Sequence, residues 1–127
     1  MAAEPTSMKS VRGRCHCGAV DWRFDGEIPD ATICNCTICR RYGVLWAYYS
    51  PSQVQFTKYP ETDIYMWDDK AIRFHRCRVC GCISHWSAVD PSTNRMGVNA
   101  RLMDPELIRH IRVRQLDGAV TEKYIDD

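Results

Sequence analysis

The sequence predicts a mainly β domain with little helix, and three observations carry that expectation. Apolar and polar residues alternate in short runs, as Val20, Trp22 and Phe24 do against Asp21, Arg23 and Asp25, which is the period of a half-buried strand. Runs rich in aromatic and branched residues are short and bounded by breakers, as VLWAYYS is by Pro51. Eight cysteines fall in three tight clusters, the pattern of metal-binding turns that pin small sheets together.

The elements follow in chain order. Residues 11–14 pair with 20–24, so Cys15 and Cys17 sit in the turn of a hairpin. Residues 44–50 read as a strand buried on both faces, and 53–59 alternate again. Residues 63–77 form a hairpin turning at 68–70, with Ile72 and Phe74 inward. It leads into the turn Cys77-Arg-Val-Cys80-Gly81, from which 83–87 returns as a strand. Residues 94–102 alternate Met96, Val98, Ala100 and Leu102 against Gly97, Asn99 and Arg101, and 111–116 form the last strand. Helix is confined to a turn around 37–41 and another at 104–110, where Asp104 caps and Pro105 takes the first position.

A chain of 127 residues fits a single domain large enough to bury a core. The expected core spans about residues 9–117, with a flexible leader over 1–8 and a polar tail over 120–127. A formal net charge of +1 gives no electrostatic case for a nucleic-acid partner. No uninterrupted apolar run suggests a membrane span, and MAAEPTSMKS lacks the apolar centre of a signal peptide. The expected location is therefore the reducing cytoplasm, where thiols stay free or bind metal.

The cysteine spacing agrees with metal. Cys15-x-Cys17, Cys34-x-Cys36-x-x-Cys39 and Cys77-x-x-Cys80-x-Cys82 place sulfurs too close in sequence for relaxed disulfides. Cys15, Cys17, Cys77 and Cys80 can close a tetrahedron from two distant hairpins, a structural zinc site with no open position. Gly18 and Gly81, just after the two knuckles, suit tight turns whose N–H groups point at sulfur. Cys34, Cys36 and Cys39 supply three ligands from one loop, and an open fourth position is what a catalytic zinc keeps. Closure by Cys82, His16, His75, His85 or His110 would instead make that site structural; copper(I) and an iron–sulfur cluster are further occupants of such thiolates. Cys82 otherwise reads as a small apolar residue on a strand face. Of the histidines, His85 lies best placed, just after the second knuckle.

The order G-x-C-x-C-G, C-x-C-x-x-C-R-R and F-H-R-C-x-x-C-G, spread over about residues 13–102, resembles the glutathione-dependent formaldehyde-activating enzymes. That family also includes centromere protein V, and GVNARLMD (97–104) is similar to it as well. The resemblance implies an Mss4-like β-tent of small antiparallel sheets pinned by a structural zinc. It implies two zinc ions per chain: a structural one on Cys15, Cys17, Cys77 and Cys80, and a catalytic one on Cys34, Cys36 and Cys39. The activity it implies is that of a carbon–sulfur lyase, joining glutathione and formaldehyde to S-hydroxymethylglutathione. A small-molecule thiol or carbonyl is the expected partner, and a homo-oligomer is compatible with the sequence. Arg40, Arg41 and Arg101 are candidates to hold substrate carboxylates, and His85 is a candidate neighbour of the zinc site. No general base is assigned. Two other functions fit the same cysteines: a non-catalytic zinc-stabilised binding module, and a thiol redox or metal-handling protein that uses Cys82 or the trio.

Overall fold

The computed structural model describes residues 10–58 and 61–125. The leader expected over 1–8 lies outside the described residues, as do Tyr59 at the end of one expected strand and the last two residues of the polar tail.

Among the described residues the protein is mainly β, with eleven strands and two short α-helices. β1 (Ser10–Arg14) and β2 (Asp21–Asp25) form the expected hairpin, and β5 (Gln55–Lys58) adds to β2 to complete a three-stranded antiparallel sheet. The remaining strands are β3 (Asp30–Cys34), β4 (Trp46–Tyr49), β6 (Thr62–Tyr65), β7 (Ile72–Cys77), β8 (Ile83–Ala88), β9 (Met96–Asn99), β10 (Arg112–Asp117) and β11 (Lys123–Tyr124). They make a second sheet in the order β11-β10-β3-β4-β9-β8-β7-β6. Its neighbours run antiparallel except β3 and β10, which are parallel.

The helices match their sequence signals. α1 (Thr37–Tyr42) starts at Cys36, whose sulfur accepts from the Cys39 N–H, and ends at Gly43 with φ 67°. α2 (Pro105–Ile108) is capped by Asp104, which accepts from the Glu106 N–H, with Pro105 in the first position.

Four features depart from simple alternation. β3 is not marked by the sequence pattern; its register comes from β10, more than 80 residues away in the chain, through pairs such as Leu116 with Cys34. β9 was expected to alternate, yet all four of its residues are buried. It lies between β4 and β8; the Trp86 indole covers Gly97, and Asn99 is satisfied by donating to the Ile83 carbonyl and accepting from the Leu45 N–H. Asp21, on the polar face of β2 by pattern, is fully buried because Arg12 and Arg14 fold over it from β1. Lys123 and Tyr124, within the polar tail, return as β11 against β10, and the Tyr124 hydroxyl reaches Thr32 Oγ1 at 2.9 Å.

Two apolar clusters result. Val11, Val20, Trp22, Phe24, Val98 and Met103 centre one of them, joining the β1–β2 hairpin to the larger sheet. The other gathers Trp46 and Phe74 around Cys34 and Cys39, so that two of the trio's sulfurs are themselves core atoms.

Candidate functional site

The two cysteine groups expected from spacing both assemble. Cys15, Cys17, Cys77 and Cys80 bring their sulfurs within 4.8 Å of one another. Cys15 and Cys17 sulfurs lie 3.7 Å apart, and Cys17 and Cys77 sulfurs 3.6 Å. A tetrahedron with Zn–S bonds of ~2.3 Å has edges of about 3.8 Å, so these spacings fit a metal ion held between the sulfurs. The turns that present them are alike: Gly18 and Gly81 both have φ +81°, a conformation that a side chain would strain. Backbone N–H groups back the sulfurs, from Val20 to Cys15 at 3.2 Å and from Cys80 to Cys77 at 3.5 Å. Burial would raise the Cys80 thiol, but the N–H groups of Cys82 and Cys17 and the neighbouring thiols hold it down to about 5. The donor set is four sulfurs and therefore closed.

Cys34, Cys36 and Cys39 also lie within 4.8 Å of one another, and they come from one strand-to-helix junction. β3 ends on Cys34, Cys36 caps α1, and Cys39 is that helix's one buried residue. The Cys36 N–H points at Cys34 sulfur at 3.5 Å, and the Cys39 N–H at Cys36 sulfur at 3.4 Å. Trp46 on β4 donates its indole N–H to Cys39 sulfur at 3.4 Å. The Cys39 thiol and the N–H groups of Cys36 and Gly118 hold Cys34 down to about 6 against the effect of burial, while Cys39, sharing a proton with Cys34, is pushed up. Three thiols that readily share charge, backed by N–H donors, are a donor set suited to a soft divalent cation.

A cavity of about 390 Å³ opens over this trio, and all three cysteines line it. Trp46, Tyr48, Trp67, Phe74 and Trp86 supply aromatic walls. Asp68 and Asp69, from the β6–β7 turn, and Glu122, from the β10–β11 turn, lie exposed at its edge. Gly118 closes one side. A Cβ there would lie 2.5 Å from Cys34 sulfur, so only glycine lets the chain pass this close.

The other candidates sit elsewhere. Cys82 lies beside Cys80 and Cys15; burial, helped by those neighbouring thiols, raises its thiol, and it does not join the trio. His85 lies on β8 with its side chain opposite to that of Trp86, so when Trp86 faces the cavity His85 faces away from it. It stacks on His75 with ring centroids 4.2 Å apart, and burial depresses His85 to about 3 and His75 to about 4. His75 is held between Thr62 Oγ1 at 2.9 Å and Ser87 Oγ at 2.8 Å. His16 and His110 are exposed, and neither belongs to a sulfur group.

The arginines are displaced for a geometric reason. With Cys39 turned inward, each further helical residue rotates by about 100°, which carries positions 40 and 41 to the outside. Arg40 is exposed there, and Arg41 donates to the Thr37 carbonyl at 2.8 Å. Arg101 donates to the Gly43 carbonyl at 2.7 Å, closing the C-terminal end of α1. Arg41 and Arg101 border a separate cleft with Arg76 and Cys82. Conversely, Trp46, Trp67, Gly118 and the three carboxylates belong to the site without having been singled out. The aromatic character of 44–50 was visible, but which side chain of that strand faces sulfur depends on the β4–β9 register.

Among the described residues, no helix is long and apolar enough to cross a membrane. No curated protein matches the chain. A crystal structure of a Rhodobacter sphaeroides protein is similar, with a TM-score of 0.67 and 26% identity, over 80% of this chain and 98% of that one. The family model described as glutathione-dependent formaldehyde-activating enzyme matches residues 10–115. With that match spanning most of its length, and with the three cysteine turns in their order, the chain belongs to the family of glutathione-dependent formaldehyde-activating enzymes.

Proposed function

We propose that this protein is a zinc-dependent carbon–sulfur lyase that makes or breaks the bond between a thiol sulfur and the carbon of formaldehyde or a related small carbonyl. One observation carries the reading: Cys34, Cys36 and Cys39 converge with no fourth protein ligand among the described residues, and all three line the aromatic cavity. Family membership supports the same reaction class. In this reading Cys15, Cys17, Cys77 and Cys80 hold a structural zinc and the trio holds the catalytic one. Eight unbridged cysteines suit a reducing compartment, and we place the protein in the cytoplasm.

The reaction is an addition without redox change. The thiol sulfur bonds to the carbonyl carbon, the π pair moves to oxygen, and the thiol proton ends on the new hydroxyl. Zinc on the trio would supply Lewis acidity, lowering the pKa of a bound thiol or polarising a carbonyl oxygen. The chain supplies the rest. The Trp46 indole N–H and the N–H groups of Cys36 and Cys39 share the negative charge of the sulfurs, which fixes their positions. Trp67, Phe74 and Trp86 exclude bulk water around them, strengthening local electrostatics.

The test is zinc-loaded protein given formaldehyde with a panel of thiols that includes glutathione, against a thiol-free control. We expect thiol-dependent disappearance of free formaldehyde. Cys36→Ser should fold, carry one zinc in place of about two, and lose turnover. Full zinc and full turnover in that variant would end the proposal.

A further inference from the structure

The walls of the cavity restrict what can occupy it. Glutathione carries two carboxylates and one ammonium group, so a site built for it needs cations. Among the described residues, no lysine, arginine or histidine lines this cavity. The charged groups that do are Asp68, Asp69 and Glu122. The floor adds to the same sign, because three thiolates on a divalent ion leave one net negative charge before any substrate enters. The arginines that could clamp a carboxylate, Arg41, Arg76 and Arg101, line a different cleft.

The apolar part of the lining is equally specific. Trp67 and Trp86 are flat, electron-rich rings that attract a cation to their faces as well as stacking on an apolar body. The Tyr48 ring is already engaged by the Arg95 guanidinium, 4.1 Å from its centroid, which leaves Trp67 and Trp86 to face a ligand cation. The carboxylates stand on two strained turns. Asp68 (φ 58°) and Glu122 (φ 60°) adopt the left-handed conformation, as does Lys70 (φ 57°) in the first of those turns. Among the described residues these are the positive-φ positions not filled by glycine, and two of the three, Asp68 and Glu122, line the same cavity. Glycine would fit each at lower conformational cost, but without a carboxylate at 68 or 122.

We infer that the substrate of this site is an adduct of an amine-bearing thiol with a flat apolar body, its ammonium group directed to Asp68, Asp69 and Glu122, and not a polycarboxylate such as the glutathione adduct. The inference rests on the trio being the reacting centre. The chemistry is the balanced addition already given, and the ammonium group takes no part in bond making.

Three benzyl mercaptans of matched size test it, carrying a para aminomethyl, methyl or carboxylate group. Each is titrated into zinc-loaded protein by quenching of tryptophan fluorescence, and each is also assayed with formaldehyde. We expect affinity to fall from aminomethyl through methyl to carboxylate, by about 10-fold across the series at low salt, with the span shrinking as salt rises. The triple variant Asp68→Asn, Asp69→Asn, Glu122→Gln should keep its zinc and bind all three about equally. Tightest binding of the carboxylate, or an unchanged order in the triple variant, overturns the inference. The two proposals fail separately. The expected binding order with no turnover of any thiol sinks the lyase and leaves the charge selection standing. Turnover that prefers the carboxylate or glutathione keeps the lyase and sinks the charge selection.

Discussion

The two cysteine groups use the same ligand chemistry and differ in how they are closed. The quartet draws Cys15–Cys17 and Cys77–Cys80 from two turns, with Cys17 and Cys77 sixty residues apart, and four sulfurs leave no position for anything else. The trio comes from a single strand-to-helix junction, faces an aromatic cavity, and has three sulfurs. Metal at the first would tie together distant hairpins and act on folding. Metal at the second would tie together six residues already ordered by α1 and β3, so its loss would cost the fold little. In the function proposed above, the closed set of donors is a crosslink and the incomplete set, facing a cavity, is the reactive centre.

The largest expected effect follows from that contrast. Cys77 is 1% exposed and belongs to the quartet. Cys77→Ser should lower the melting temperature by roughly 20 °C or leave the chain unfolded, because metal binding there is folding free energy. Circular dichroism melts with metal analysis measure this. A folded Cys77→Ser protein with a native melt would erase the distinction between the two groups. Cys36→Ser is the counterpart at the trio. It should shift the melt by only about 5 °C while removing one zinc, since no distant elements depend on it. A melt as damaged as that of Cys77→Ser would show both groups to be crosslinks.

Gly118→Ala sharpens the comparison from outside the ligands. The added methyl would lie 2.5 Å from Cys34 sulfur, and the β10–β11 turn or the sulfur must move. Zinc affinity at the trio should fall about 10–100-fold, as for other residues that orient ligands. The quartet should be untouched, so competition with a chelator would release one zinc early and the other as in the unaltered protein. Simultaneous release would mean that the two centres are coupled.

The sequence made the quartet and the trio legible because their signals are local: a few residues of spacing, followed by a glycine or a helix cap. The same holds for the β1–β2 and β6–β7 hairpins and for the Asp104–Pro105 helix start, each a short-range pattern. What surrounds the trio was not legible, because it is assembled over long distances. β3 owes its place to parallel pairing with β10. Asp68, Asp69 and Glu122 come from turns more than fifty residues apart in sequence, and nothing local says that they meet. Gly118 reads as an ordinary turn glycine until Cys34 is seen against it. Arg40, Arg41, Arg101 and His85 were drawn toward the site by their nearness in sequence to a cysteine turn or to the motif, and helix and strand geometry turned them away. Adjacency in sequence identified which sulfurs gather but not which residues wall the cavity beside them, since clustered cysteines share a turn while a cavity wall is shared among strands.

The smallest effect concerns the quartet's side of the molecule alone. Arg12 donates to both carboxylate oxygens of the buried Asp21 across the β1–β2 hairpin, whose turn holds Cys15 and Cys17. This hydrogen bonding holds the Asp21 carboxyl below the usual carboxylate range. A carboxyl depressed in the folded state contributes stability above its unfolded value of about 3.9, and that contribution disappears as pH falls through the folded value. Asp21→Asn should therefore lower the melting temperature at neutral pH by about 3 °C, and the gap should close as the pH drops below about 4. Because Arg12 is largely solvent-exposed, the ion pair is screened and the effect stays small. Zinc at the trio should not respond at neutral pH, since the pair braces the other hairpin. A loss of trio zinc in Asp21→Asn at pH 7 would show that the two regions share strain through the core, and the division between crosslink and reactive centre would have to be redrawn.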